Sequence, residues 1–181
     1  MSVACLGWGS LIWDPRELPV EPGWHKDGPF AGVEFTRQSS DGRITLVLDP
    51  YAAPVRLLWA LMRVDDLSAA REHLRKREQI TAKDWSSLVG SWKTGEPAPT
   101  SIPDLASWAE NHGVDAVIWT ALSPRFPGKE SGQSPSADEV ISHLETLTGT
   151  KREQAKGYIV LAPLQIDTEY RRRIKTALGW S

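Results

Sequence analysis

The order of patterns along the chain predicts an α+β fold. Short β-branched and apolar runs crowd the first third, amphipathic helical spacings fill most of the rest, and no regular strand–helix–strand alternation links the two. The same order argues against a doubly wound nucleotide-binding sheet. At 181 residues the chain fits one domain, expected over 1–181, with room for a sizeable core.

The apolar run from Val3 to Leu6 predicts a first strand that leads into a glycine-hinged turn, Gly7-Trp8-Gly9-Ser10-Leu11, closed by Asp14-Pro15. Val33, Phe35 and Arg37 alternate with smaller or polar neighbours. After the Ser40-Asp41-Gly42 turn a β-branched run continues over 43–48, so the two predict a hairpin. The stretch 55–64 is apolar on both faces and predicts a central third strand. Leu67, Ala70 and Leu74 give a helix over 66–79 with Asp65 or Asp66 as its cap. A second helix is expected over 104–112, with Ser101 and Asp104 in capping-box spacing and Gly113 as a stop, and then a buried strand over 116–122. Ser136 and Glu139 form another capping box ahead of Val140, Leu144 and Leu147, with Gly149 expected to end that helix. Helices over 151–160 and 168–178 complete the chain. Two Pro-, Gly- and Ser-rich segments, 91–103 and 123–135, read as long loops, either solvated connections or lids.

Lysine and arginine number 21 against 23 acidic residues, a net charge of −2, which leaves little global field to hold a nucleic acid. A single cysteine excludes an internal disulfide, and neither a membrane span nor a secretory leader is visible, so a cytoplasmic setting is expected. No Cys or His run has metal-ligand spacing, and His25, His73, His112 and His143 read as surface or cap residues. Cys5 lies inside an apolar strand and reads as packing. The runs around Arg71, Arg75, Lys76 and Arg77 and at Arg171-Arg172-Arg173 read as solvated helix faces.

Two features carry candidate chemistry. At about 100° per residue, Glu78 falls within about 40° of Leu67 and Leu74, on the core-facing stripe of the first helix, while Glu72 points away. A carboxyl at the edge of an apolar layer is desolvated, which raises its pKa and suits it to shuttling protons near neutral pH. The alternative is an ion pair with Arg71, Arg75 or Arg77 at a fraying helix end. The second feature is the glycine pair of Gly7 and Gly9, which frees backbone N–H groups to face a carboxylate or oxyanion, or else forms only a tight turn. Ser10 lacks the setting of a nucleophile elbow.

The run Cys5-Leu6-Gly7-Trp8-Gly9-Ser10-Leu11-Ile12-Trp13-Asp14-Pro15 resembles the N-terminal signature of the gamma-glutamylcyclotransferase-like family, closest to its ChaC-type glutathione-degrading branch. Phe35 to Ser40, Gly42 to Leu48, and the strand and helix ending in Arg77-Glu78 are similar to the family's following elements. The resemblance implies a small mixed β-barrel-like sheet of about five or six strands with flanking helices and a pocket at its mouth. It further implies that the turn Gly7, Trp8, Gly9, Ser10 and Leu11 binds a gamma-glutamyl group. Glu78 would then move a proton from the substrate's α-ammonium to the leaving amine, giving 5-oxoproline without metal or cofactor. The expected partner is this small-molecule substrate, with neither nucleic acid nor membrane. Trp8 stands where the family carries a tyrosine. It keeps an aromatic wall and an N–H donor but places no phenolic hydroxyl.

Nine tryptophans against three phenylalanines and three tyrosines is an unusual aromatic balance. Trp8 and Trp13 flank the turn, and Trp59, Trp108 and Trp119 read as core. Trp85 and Trp92 are candidates for an altered outer pocket, which is why glutathione itself is not assumed as substrate.

Overall fold

The computed structural model covers residues 1–181. In chain order its elements are β1 (Val3–Gly7), β2 (Phe30–Gln38), β3 (Ile44–Leu48), β4 (Pro54–Arg56), β5 (Leu58–Leu61), α1 (Leu67–Arg77), β6 (Val89–Lys93), α2 (Leu105–Asn111), β7 (Ala116–Thr120), α3 (Ala137–Thr146), α4 (Gly149–Leu161) and α5 (Glu169–Leu178). One sheet has the order β5-β1-β7-β6, in which only β1 and β7 run parallel; the other has the order β3-β2-β4 and is antiparallel. The fold is thus α+β with a mixed sheet, although its seven strands divide between two sheets rather than closing a barrel of five or six. No helix is long and apolar enough to cross a membrane.

Strand β1 organises the interior because every one of its residues is buried. Ala4 and Leu6 face the larger core with Phe35, Leu46, Ile159 and Ile174. Val3 and Cys5 face a second cluster with Ala70 and Leu74 of α1, Val89 and Ile118. Alternate side chains on a strand point to opposite faces, so one strand feeds both cores. Helix α1 covers the smaller cluster against β6 and β7, whereas α4 packs on β3 and α5 on β2.

Helix α1 begins and ends as its sequence suggests. The Asp66 side chain accepts from the Ala69 N–H at 2.7 Å, and Glu78 is the C-terminal cap. The Ser136–Glu139 capping box forms at α3. Several expectations do not hold. The run 55–64 is not one central strand: it breaks at Leu57, whose N–H donates to Pro29, into β4 and β5, each at the edge of a different sheet. Pro54 has no N–H for a ladder and fits an edge. On the outer rim of this sheet, His25 bridges Trp59 of β5 and Val20 bridges Met62 just beyond it.

Ser101 does not cap α2; Asp104 is the N-cap and its carboxylate instead accepts from the Phe30 N–H. Helix α3 stops at Leu147, and Gly149 opens α4 rather than ending α3. Residues 91–93 belong to β6, which shortens the first long loop. The second is pinned to β2 by Ser123 and Arg125 and to Asp49, just after β3, by Ser134. Arg171 is buried, with its guanidinium bonded to the carbonyls of Ala162, Pro163 and Ile166, so it closes the α4–α5 corner rather than facing solvent.

Strand β6 exists because Gly90 leaves room for the Trp119 indole, which crosses from β7. A Cβ at position 90 would lie 2.2 Å from Trp119 Cε2. Gly90→Ala should therefore cost about 1–3 kcal/mol, the usual penalty of overpacking, read as a lower urea midpoint at unchanged slope. An unchanged midpoint would mean that the indole has space to retreat.

Candidate active site

The turn after β1 and the end of α1 meet across a cavity of about 320 Å³. Trp8, Gly9, Ser10, Leu11 and Glu78 all line it, together with Trp13, Arg77, Thr120 and Tyr158. This volume lies at the small end of ligand pockets, roughly 300–1,000 Å³. A larger hollow of about 680 Å³ lies against Phe30, Pro54 and Pro103, away from the turn. Its two carboxylates, Asp49 and Asp104, are already bound to backbone or hydroxyl donors.

Glu78 is held by hydrogen bonds to three residues, Leu74, Arg77 and Thr120. As the C-cap its N–H donates to Leu74 at 2.9 Å. The chain then reverses through Gln79 at φ +54, with Gln79 N–H donating to Lys76 and Ile80 N–H to Arg75, the bond pattern of a Schellman cap. Glycine is the usual residue in that left-handed position; the side chain of Gln79 instead lines the cavity. Arg77 donates to Glu78 Oε1 at 2.9 Å, and the Thr120 hydroxyl donates to the same oxygen at 3.3 Å. Oε2 has no protein partner. The Glu78 side chain is 16% exposed, so this free oxygen is desolvated yet reachable.

Arg77 corrects the expectation of a solvated basic face. Its guanidinium is buried and donates to Glu78, to Ser10 Oγ at 3.1 Å and to the Asp14 carbonyl at 2.6 Å. The expected glutamate–arginine pair is present, but it lies inside the cavity and ties the helix end to the turn.

Along the turn, Ile12 N–H donates to Gly9 and Asp14 N–H to Ser10, whereas the N–H groups of Gly9 and Leu11 find no acceptor in the protein. Trp8 is buried and its indole N–H is consumed by the Leu46 carbonyl at 3.2 Å, so it braces the turn against β3. Gly7 does not line the cavity. It sits in β1 opposite Leu58, and it is glycine because a Cβ would meet Ile12 at 2.7 Å and Trp24 at 2.8 Å. Cys5 is fully buried behind Glu78. Burial and the Glu78 carboxylate both push its thiol well up, in keeping with packing. No histidine lines the cavity.

The tryptophans proposed for an outer pocket are elsewhere. Trp92 is buried with its indole bonded to the Glu96 carbonyl, and Trp85 lies under Arg71 and Arg75 at the far side of α1. The aromatic residue that sequence reasoning missed is Tyr158, on α4. Its ring meets Trp13 edge-on at 5.3 Å, and its hydroxyl is placed where a Cβ on Gly9 would be 2.6 Å away. Burial pushes that hydroxyl up to about 12, with backbone hydrogen bonds at Leu46 and Ser10 opposing the shift and Glu78 adding to it. A phenol therefore does reach the turn, from another part of the chain. The signal available in the sequence was a tyrosine on the apolar face of the fourth helix, beside Ala155 and Ile159.

A largely covered carboxylate with one free oxygen and turn residues with unpaired backbone N–H groups thus line one cavity. The fold carrying it is gamma-glutamylcyclotransferase-like. The chain is similar over 99% of its length to 98% of the crystal structure of a gamma-glutamyl cyclotransferase specific to glutathione from yeast, with a TM-score of 0.54 and 11% identity. The selenomethionine-labelled structure of such a yeast enzyme aligns with 99% of this chain and 96% of its own, with a TM-score of 0.50 and 15% identity. No protein-family model matches the sequence, and no curated protein does.

Two outcomes follow. Gly9→Ala should destabilise the fold through the Tyr158 hydroxyl, and adding Tyr158→Phe should recover part of the loss. Purely additive unfolding energies in that double-mutant cycle would show that the two do not touch. Ellman's reagent should find no reactive thiol in the folded protein at mildly alkaline pH and one after denaturation; fast labelling of the native state would contradict the packing role of Cys5.

Proposed function

We propose that this protein is a cofactor-independent gamma-glutamylcyclotransferase-like enzyme that converts a gamma-glutamyl amine or related small amide to 5-oxoproline and a free amine. The observation that carries the proposal is that Glu78, with one carboxylate oxygen unbonded, lines the same cavity as Gly9 and Leu11, whose backbone N–H groups are unpaired. The fold likeness to the yeast enzymes supports it.

In this reading the turn N–H groups hold the α-carboxylate, which leaves the α-ammonium near Glu78. The carboxylate accepts one ammonium proton. The freed amine attacks the γ-carbonyl, its nitrogen forming the new C–N bond of a five-membered lactam. Collapse of the tetrahedral centre then breaks the old C–N bond, Glu78 returns its proton to the departing nitrogen, and the extra proton left on the ring nitrogen passes to the released amine, which departs as an ammonium and leaves a neutral lactam N–H. Holding amine and carbonyl in one folded conformer supplies much of the acceleration, because the attack is intramolecular. Arg77 positions Glu78 and gives its charge a partner, and Thr120 fixes the carboxylate's rotation.

The same Arg77–Glu78 ion pair is the observation that favours a second reading, a non-catalytic small-molecule-binding domain of this fold. The experiment is release of 5-oxoproline from a panel of gamma-glutamyl amines and amino acids. Glu78→Gln should lower kcat by about 10²- to 10⁴-fold with an unchanged circular dichroism spectrum. Equal turnover by both forms would remove Glu78 from the mechanism, and thermal stabilisation by these compounds without any product would select the binding domain.

A further inference from the structure

In the reaction set out above, the turn N–H groups take the α-carboxylate and Glu78 takes an ammonium proton. The γ-carbonyl oxygen has no partner, yet it must carry a full negative charge once the amine has attacked. A donor held ready at such an oxygen is commonly the largest single contribution to the rate. Five hydroxyl groups line the cavity, those of Ser10, Ser39, Thr45, Thr120 and Tyr158. Three have their protons engaged within the protein. Ser39 donates to the Asp41 carboxylate, Thr45 to the Arg37 carbonyl at 3.1 Å and Thr120 to Glu78 at 3.3 Å. Ser10 Oγ accepts from Arg77 at 3.1 Å, which leaves its proton free but fixes its oxygen against the helix end.

Tyr158 is the fifth. The backbone groups at its oxygen, those of Leu46 and Ser10, favour the ionised phenol, as N–H donors do, and no acceptor for its own proton lies within the protein. The side chain is buried, with its ring edge-on to Trp13 at 5.3 Å and to Phe35 at 6.3 Å and the Arg43 guanidinium 5.8 Å above it. A ring so confined has little freedom to turn, and its hydroxyl needs no reorganisation when charge develops nearby. Burial keeps that hydroxyl protonated at neutral pH. A buried O–H without an acceptor is unfavourable, and an acceptor that arrives with the substrate relieves it.

The position suits one atom of the proposed substrate. Because residue 9 is glycine, the phenol oxygen approaches the turn to where a Cβ would be 2.6 Å away. In a gamma-glutamyl chain folded for attack, the α-carboxylate and the γ-carbonyl flank the same nitrogen. Donors for the two must then be neighbours, as Gly9 and the Tyr158 hydroxyl are.

We propose that Tyr158 is a catalytic residue whose hydroxyl donates a hydrogen bond to the γ-carbonyl oxygen and holds it more strongly as it becomes the oxyanion of the tetrahedral centre. This rests on the cyclotransferase reading. The proton stays on the phenol throughout, so the transfers through Glu78 are unaltered. When the centre collapses, the oxygen's electron pair re-forms the carbonyl and the hydrogen bond weakens again.

The test uses the gamma-glutamyl compound that the wild-type protein turns over fastest. Tyr158→Phe should lower kcat by about 10²- to 10³-fold with KM little changed, the usual effect of removing one oxyanion donor. The second variant carries 3,5-difluorotyrosine at position 158, which keeps the ring and the hydroxyl but makes the phenol more acidic. Its kcat should fall as pH rises through the mildly alkaline range while wild-type kcat holds, because the donor is present only below its own pKa. Packing alone would not move that profile. An alkaline limb that fluorination leaves in place, or a Tyr158→Phe protein as fast as wild type, overturns the donor and leaves the cyclotransferase standing. A loss of the same size in Ser10→Ala with none in Tyr158→Phe assigns the oxyanion to Ser10 instead. Should Tyr158→Phe fail to fold, the fluorinated protein decides alone. If the wild-type protein releases no 5-oxoproline from any compound, the cyclotransferase reading falls and the catalytic role of Tyr158 falls with it.

Discussion

The buried guanidinium of Arg77 is the contact on which the arrangement of this site depends. It bonds a carboxylate, a hydroxyl and a backbone carbonyl from the end of α1 and the turn that follows β1. A charge taken out of water needs such partners, and removing one of them typically costs about 3–5 kcal/mol because the remaining charge is left buried. The helix end and the turn are therefore coupled. The helix cannot shift without breaking the contacts to Ser10 and Asp14, and the turn cannot open without exposing an ion pair. The distance between the free carboxylate oxygen and the free N–H groups is set by this clasp together with the reversal at Gln79.

The tryptophans divide into walls and struts. Trp59 and Trp108 meet edge-on at 5.3 Å, each with a histidine stacked on it, and Asp27 accepts from both indoles, through its carboxylate for Trp59 and its carbonyl for Trp108. This clamp fastens the segment before β2 to α2. Trp8 does the equivalent between the turn and β3. In each case the indole N–H finds a carbonyl or carboxylate, which is the condition under which so large a polar aromatic can be buried.

Much of the framework was legible in the sequence. Helix α1 and the place of Glu78 on the Leu74 face follow from periodicity, the cap was narrowed to Asp65 or Asp66 and is Asp66, and the hairpin follows from alternation around a glycine turn. What was not legible depended on partners distant in the chain. Residues 89–93 carry a glycine and a serine, poor strand formers, and become a strand only because Trp119 lies over Gly90. The apolar run over 55–64 had no local feature to show that it divides between two sheets. Arg77 was a different kind of miss. Three residues past Leu74 it sits about 60° from the buried stripe, so the helical wheel already placed it near the core, and its basic neighbours disguised it. Tyr158 could be placed on an apolar helix face but not against a turn near the opposite end of the sequence.

That last contact bears on how the protein is made. The turn that joins β1 to the cavity is made well before the fourth helix, to which the phenol that packs on it belongs. A nascent chain long enough to build β1, the hairpin and α1 already has Glu78 and the turn but lacks one wall of the pocket, so the cavity is finished only once α4 has been made. Contacts of such sequence separation slow folding, since a long loop must close before they form. Until then the indole of Trp13 and the ring of Phe35 lack the cover of Tyr158, which leaves the chain more open to association with its neighbours in the interval before α4 docks.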